Sequence, residues 1–111
     1  MAVTFAATLI DQWCRRGVRH VIVSPGSRST PLVIGLQWVL DHQGAAAGDR
    51  LRAHVVLDER SAAFQAVGVA RATGAPAVLV CTSGTAAVEY HPAVVEAHLS
   101  PVHLTLELTE N

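Results

Sequence analysis

Three short segments concentrate the residues able to do chemistry. They are Ser24-Pro25-Gly26-Ser27-Arg28-Ser29-Thr30, Asp58-Glu59-Arg60-Ser61 and Cys81-Thr82-Ser83-Gly84-Thr85. The first joins a glycine turn to hydroxyls and one guanidinium. Backbone amides near a helix start, together with an Arg, can hold a carboxylate or a phosphate. The same residues also make a tight turn capped by Ser and Thr, so both readings stand. The second segment sets two carboxylates at a strand-to-helix junction. Asp58 suits a helix N-cap, and Glu59 complements the helix dipole. A Glu just past a buried strand can also be desolvated and share a proton near neutral pH. The third segment opens a helix with hydroxyls. Ser83 lacks the Gly-x-Ser-x-Gly setting of a hydrolase nucleophile, so capping comes first and ligand contact through backbone amides second.

The other polar residues form no constellation. The six histidines show no His-x-x-x-His or His-Glu-x-x-His spacing. His20 and His54 fall near strand starts, and His91 and His98 lie seven apart on one helix, a poor metal site. There is no Walker A sequence and no Gly-x-Gly-x-x-Gly. Cys14 and Cys81 have no metal-ligand spacing, and Cys81 reads as a small core residue. No residue is assigned to a metal.

The elements that must position these segments follow from periodicity. Phe5, Leu9 and Trp13, with Ala6 and Ile10 beside them, mark one face of a first helix, which Arg15-Arg16-Gly17 closes. Val18 to Ser24 is a β-branched run suited to a strand covered on both faces. Thr30 caps a second helix, with Pro31 in its first turn and Leu32 to Leu40 as its body. Residues 43 to 50 are a loop, and Leu51 to Leu57 a second strand. Asp58 caps a third helix reaching Thr73, with Gly74 as its stop. Ala77 to Cys81 is a third strand. Thr85 to His98 is a fourth helix that Pro92 threatens to kink or split. Val102 to Leu108 alternates apolar and polar residues, as an edge strand does.

The resulting order, α-β-α-β-α-β-α-β, predicts an α/β fold of three layers: a parallel sheet with helices on both faces. The three polar segments then share the rim at the carboxyl ends of the strands, where ligands collect in such sheets.

Composition sets the outer bounds. The chain has 111 residues, half of them hydrophobic, enough for one domain and its core. Eight Arg and no Lys face nine acidic residues, for a formal net charge of −1. That balance gives no reason to expect nucleic acid or an anionic membrane as a partner. No uninterrupted apolar stretch is long enough for a membrane span. Two distant cysteines and the absence of a recognisable signal peptide fit a cytoplasmic location.

Taken together and in order, the segments resemble one family. Ser24 to Leu32, Asp58-Glu59-Arg60, Thr82-Ser83-Gly84-Thr85-Ala86 and Pro92 to Ala97 are similar to successive motifs of the MenD family. Its members are the 2-succinyl-5-enolpyruvyl-6-hydroxy-3-cyclohexene-1-carboxylate synthases of menaquinone biosynthesis. Gly17-Val18-Arg19-His20 fits as well, so the likeness runs from about residue 4 to 100.

The resemblance implies a thiamine diphosphate (ThDP) enzyme. Residues 1–111 would be part of its pyrimidine-binding (PYR) domain, apparently truncated, with no diphosphate (PP) domain. Glu59 matches the glutamate that hydrogen-bonds the cofactor's aminopyrimidine, both as a cofactor contact and as the catalytic carboxylate. Pro25, Gly26, Thr82, Ser83 and Gly84 would lie by the cofactor. Ser27, Arg28 and Ser29 would bind substrate. The family reaction decarboxylates 2-oxoglutarate and adds the four-carbon unit to isochorismate. Mg²⁺ would be held by a domain outside this chain. The family also implies a homo-oligomer, dimer or tetramer, with a site shared between subunits, so the chain by itself would be inactive.

One departure stands out: Leu106-Glu107-Leu108-Thr109-Glu110-Asn111 replaces a Leu-Thr-Ala-Asp-Arg-Pro-like sequence, and with it a substrate-binding Arg. Two other readings remain, another ThDP enzyme of the acetolactate synthase or oxalyl-CoA decarboxylase kind, and a non-catalytic PYR-like binding module.

Overall fold

The structure, a computed structural model, describes residues 2–24, 30–43, 50–82, 88–100 and 102–109. Among these residues four helices and four strands alternate: α1 (Ala2–Arg15), β1 (His20–Val23), α2 (Thr30–His42), β2 (Arg52–Val55), α3 (Glu59–Thr73), β3 (Ala77–Thr82), α4 (His91–Leu99) and β4 (Leu104–Thr109). The strands form one parallel sheet in the order β2-β1-β3-β4. The expected three-layer α/β architecture is therefore present.

Strand parity divides the core in two. Val21, Val23, Val78 and Val80 face α1 and α2, and pack with Ala6, Ile10, Trp13, Leu32 and Leu36. Ile22, Ala77, Leu79 and Cys81 face α3 and α4. Alternate residues of β1 and β3 thus feed opposite layers, as a sheet buried on both faces requires. On the second side α3 presents Ala62, Ala63, Ala66, Val67 and Ala70, all buried. Small side chains at helical spacing let the helix axis approach the sheet closely, and leave room there for the ring of Tyr90, which is 1% exposed.

Local signals place the helix ends. Gly17 has φ 94° and closes α1: Val18 N–H donates to Trp13 O and Gly17 N–H to Cys14 O, a Schellman pair. Asp58 caps α3, and its carboxylate accepts from Ser61 N–H at 2.9 Å and from the Ser61 hydroxyl at 2.6 Å. Gly74 (φ 72°) ends α3, its N–H donating to Ala70 O at 2.9 Å.

Four details differ from the sequence reading. The buried stripe of α1 is Ala6, Ile10 and Trp13; Leu9 is only half-buried, because two neighbouring lines of that helix are apolar. β1 is shorter than 18–24. β2 ends at Val55, and it lies at a sheet edge, so Val55 and Leu57 are 68% and 80% exposed. Of the helix expected over Thr85 to His98, residues 85–87 lie outside the described residues, Val88 is helical, Glu89 and Tyr90 form a turn, and α4 runs from His91 with Pro92 in its first turn, where a missing N–H costs nothing. The split expected near Pro92 is therefore present, just before it.

Candidate functional site

The strand order creates a switch point. The chain leaves β1 toward β2 on one side, and β3 returns on the other side of β1. The crevice beyond the carboxyl ends of two such strands is where doubly wound sheets bind ligands. Ser24 follows β1, and Thr82 ends β3. The loops carrying two of the three polar segments therefore depart from this crevice. The third segment follows β2 on the same rim, where Glu59 is half-buried as the first residue of α3.

Ser24 ties the rim together. Its N–H donates to Val80 O at 2.9 Å, and its hydroxyl donates to Val56 O at 3.0 Å. Val56 N–H in turn donates to Val23 O at 3.0 Å. One residue thus links the ends of β1, β2 and β3. At 2% exposure it is also the buried polar side chain of the described core.

Beneath this rim sits Tyr90. It belongs to the core cluster that holds Ala62, Ala63, Leu79 and Cys81, and its hydroxyl is beside the Cys81 thiol and the Ser24 hydroxyl. Although buried, the phenol oxygen makes no aligned hydrogen bond. Burial pushes the Tyr90 phenol far above its ordinary value, and the nearby Cys81 and Glu59 add to the rise. Burial likewise raises the Cys81 thiol; the Tyr90 contact works against this and the Glu59 carboxylate with it. Glu59, Cys81, Tyr90 and Ser24 are therefore electrostatic neighbours. Asp58, by contrast, faces outward, and the hydroxyl and backbone bonds from Ser61 hold its carboxyl below the usual range.

Of the residues singled out from sequence, Glu59 is at this rim with a described side chain, and Thr82 reaches it as the last residue of β3. Pro25, Gly26, Ser27, Arg28, Ser29, Ser83 and Gly84 lie outside the described residues. Among the described residues no group of three or more His, Cys, Asp or Glu could hold a metal ion. Sequence reasoning missed Tyr90 and the nodal role of Ser24. A cavity of about 290 Å³ lies at the other rim, between the end of α3 and Ser100–His103, away from these groups.

With this geometry in place, comparison with known proteins is decisive. Residues 3–106 match the family model described as "Thiamine pyrophosphate enzyme, N-terminal TPP binding domain". The chain belongs to this family. Thiamine pyrophosphate (TPP) is another name for ThDP. Among curated relatives of this TPP-binding domain, the 2-succinyl-5-enolpyruvyl-6-hydroxy-3-cyclohexene-1-carboxylate synthase of Thermobifida fusca is 50% identical over 99 residues, 89% of this chain. The synthase of the same name from Bacillus pumilus is 48% identical over 101 residues, 91% of the chain. That of Saccharopolyspora erythraea is 53% identical over 92 residues, 83% of the chain. The match covers 16% of the length of each of these relatives. No helix among the described residues is long and apolar enough to cross a membrane.

Proposed function

We propose that this chain is the pyrimidine-binding part of a cytoplasmic, oligomeric MenD-type synthase, which joins 2-oxoglutarate, after loss of CO₂, to isochorismate. The observation that carries this reading is Glu59 standing half-buried on the rim of the β1/β3 switch point, in a chain of the TPP family. Residue types at the rim suit the cofactor's aminopyrimidine. A carboxyl can exchange a proton with a ring nitrogen, and the apolar wall from Tyr90 and Cys81 limits water on the core side.

In this reading Glu59 holds and shares the proton of the pyrimidine ring. When bound, ThDP supplies the carbon nucleophile and the electron sink. Pro25, Gly26, Thr82, Ser83 and Gly84 shape the wall near that ring. Ser27, Arg28 and Ser29 receive substrate carboxylates, with the Arg28 guanidinium available for a bidentate grip. No residue of this chain is assigned to Mg²⁺ or the diphosphate, which this reading gives to other parts of the assembled enzyme.

The test is product formation by the natural protein carrying this chain, supplied with ThDP, Mg²⁺, isochorismate and either 2-oxoglutarate or pyruvate. The reading expects product with 2-oxoglutarate and little with pyruvate, and a raised KM for 2-oxoglutarate in Arg28→Ala. Turnover of pyruvate in preference would transfer the chain to the acetolactate synthase-like group. No turnover of either, with no ThDP bound, would leave a binding module.

A further inference from the structure

We propose that Ser24 is a positioning residue for Glu59: its hydroxyl stands in for a backbone donor that Pro25 cannot supply, and so fixes the segment that delivers Glu59 to the rim. The proposal rests on the synthase reading only for what Glu59 does to a cofactor.

The ladder between β1 and β2 runs out at a proline. Arg52 N–H donates to Arg19 O and Val56 N–H to Val23 O, with Val23 opposite Val55. Successive amides of a strand point to opposite neighbours. Ser24 N–H accordingly points the other way, to Val80 O after the β1–β3 pairing. The next donor toward β2 would be the N–H of residue 25, and its acceptor would be Val56 O. Residue 25 is proline, which has no N–H. The Ser24 hydroxyl donates to Val56 O in its place, at 3.0 Å. Val56 thus keeps both of its backbone bonds toward the end of β1, one step beyond the paired strand.

Little else holds this segment. Val55 and Leu57 are largely exposed, and of residues 55–57 Val56 is the one that packs against the core cluster. Asp58 then caps α3 through Ser61, and Glu59 is the first helical residue. Glu59 therefore follows a clamp three residues before it and a cap one residue before it. Release of the clamp lets the start of α3 shift against the ends of β1 and β3, which the same serine joins. A misplaced reacting group costs rate even when the change is remote from the chemistry.

Two measurements on the natural protein test this. The first uses neither cofactor nor substrate. Ser24→Ala is expected to lower the denaturant midpoint, and to lower it less in a Pro25→Ala background, where residue 25 regains an N–H. In Ser24→Ala, hydrogen exchange read by mass spectrometry should quicken in a peptide spanning residues 52–61 and hold in one over β4. Equal midpoint shifts in the two backgrounds, or exchange that quickens everywhere alike, overturn the proposal. In the second, Ser24→Ala is expected to slow proton exchange at the thiazolium C2 of bound ThDP several-fold and to lower kcat with it, with KM for 2-oxoglutarate unchanged. Ser24→Thr, which keeps the hydroxyl, is expected to restore the rate. Parental C2 exchange in Ser24→Ala, or a Ser24→Thr of parental midpoint that stays as slow, overturns the proposal. Glu59→Gln is the control. If it leaves C2 exchange fast, the synthase reading fails, and the cofactor-free measurement still decides the role of Ser24.

Discussion

The two rims of the sheet handle their polar groups in opposite ways. At the amino rim His20, the first residue of β1, is bonded to His54, the third of β2, Nδ1 to Nε2 at 3.0 Å. Their ring planes differ by only 15° with centroids 5.2 Å apart, so the rings meet edge to edge in nearly one plane. One nitrogen donates, the other accepts, and the pair is complete. At the carboxyl rim the Tyr90 hydroxyl is left without an aligned bond and Glu59 stands half-buried. Burial without a partner costs stability and is retained where function uses it. The contrast separates a rim that serves the fold from a rim that serves chemistry.

The largest effect should come from the functional rim. Glu59→Gln in the natural protein is expected to lower turnover by about 10²–10⁴-fold, the usual contribution of a positioned proton-transfer group. Steady-state kinetics with 2-oxoglutarate and isochorismate measure it, and the circular dichroism of the fold should be unchanged. Loss of structure in this variant would erase the distinction between the rims.

Ser24→Ala sharpens the comparison from the structural side of the same rim. It removes the donor to Val56 O and is expected to cost about 1–3 kcal/mol in denaturant unfolding. A cost near zero would mean that β2 needs no tie from Ser24.

The amino rim should respond to pH. Burial, then His54 and Arg52, disfavour the charged form of His20 and hold it below its ordinary 6.5. The unfolded chain therefore binds more protons than the folded one just below that value. The stability this gives is complete above about pH 6.5 and declines as pH falls toward the folded value. His20→Gln is expected to flatten this part of the pH profile of the thermal midpoint. Identical profiles for parent and variant would contradict the pairing.

The smallest effect belongs to Arg71 and Glu96, which meet at 3.3 Å with 54% and 45% of their side chains exposed. Removing an exposed pair of this kind costs about 0–1 kcal/mol. Arg71→Ala should therefore leave the unfolding midpoint nearly in place.

Much of this was legible in the residues. Gly17 and Gly74 stop helices, Asp58 caps one, and the β-branched runs are strands, because each depends on neighbours within one turn of chain. The β1 and β2 runs read too long, since apolar residues continue past the last paired backbone group, whereas β3 read one residue short. The apolar face read on α1 is the buried one, with Ala6, Ile10 and Trp13 inside and Leu9 at its border. Pro92 signalled a break but not its side: the local sequence cannot tell a kinked helix from one that begins there. Glu59 was visible from its place after a strand. Tyr90, Ser24 and the His20–His54 pair were not, because their contacts join residues dozens of positions apart. The signal available for the histidines was register, which sets Ile22 opposite His54 and thus His20 and His54 on one face of adjacent strands.

The account's central claim, that Glu59 at the carboxyl rim governs the cofactor's proton, is tested most directly by hydrogen–deuterium exchange at the thiazolium C2 of ThDP bound to the natural protein. Acid quench and proton NMR give the rate, without any substrate. The account predicts fast exchange in the parent and exchange slowed by orders of magnitude in Glu59→Gln, with the fold intact. Equal rates in the two proteins would contradict it.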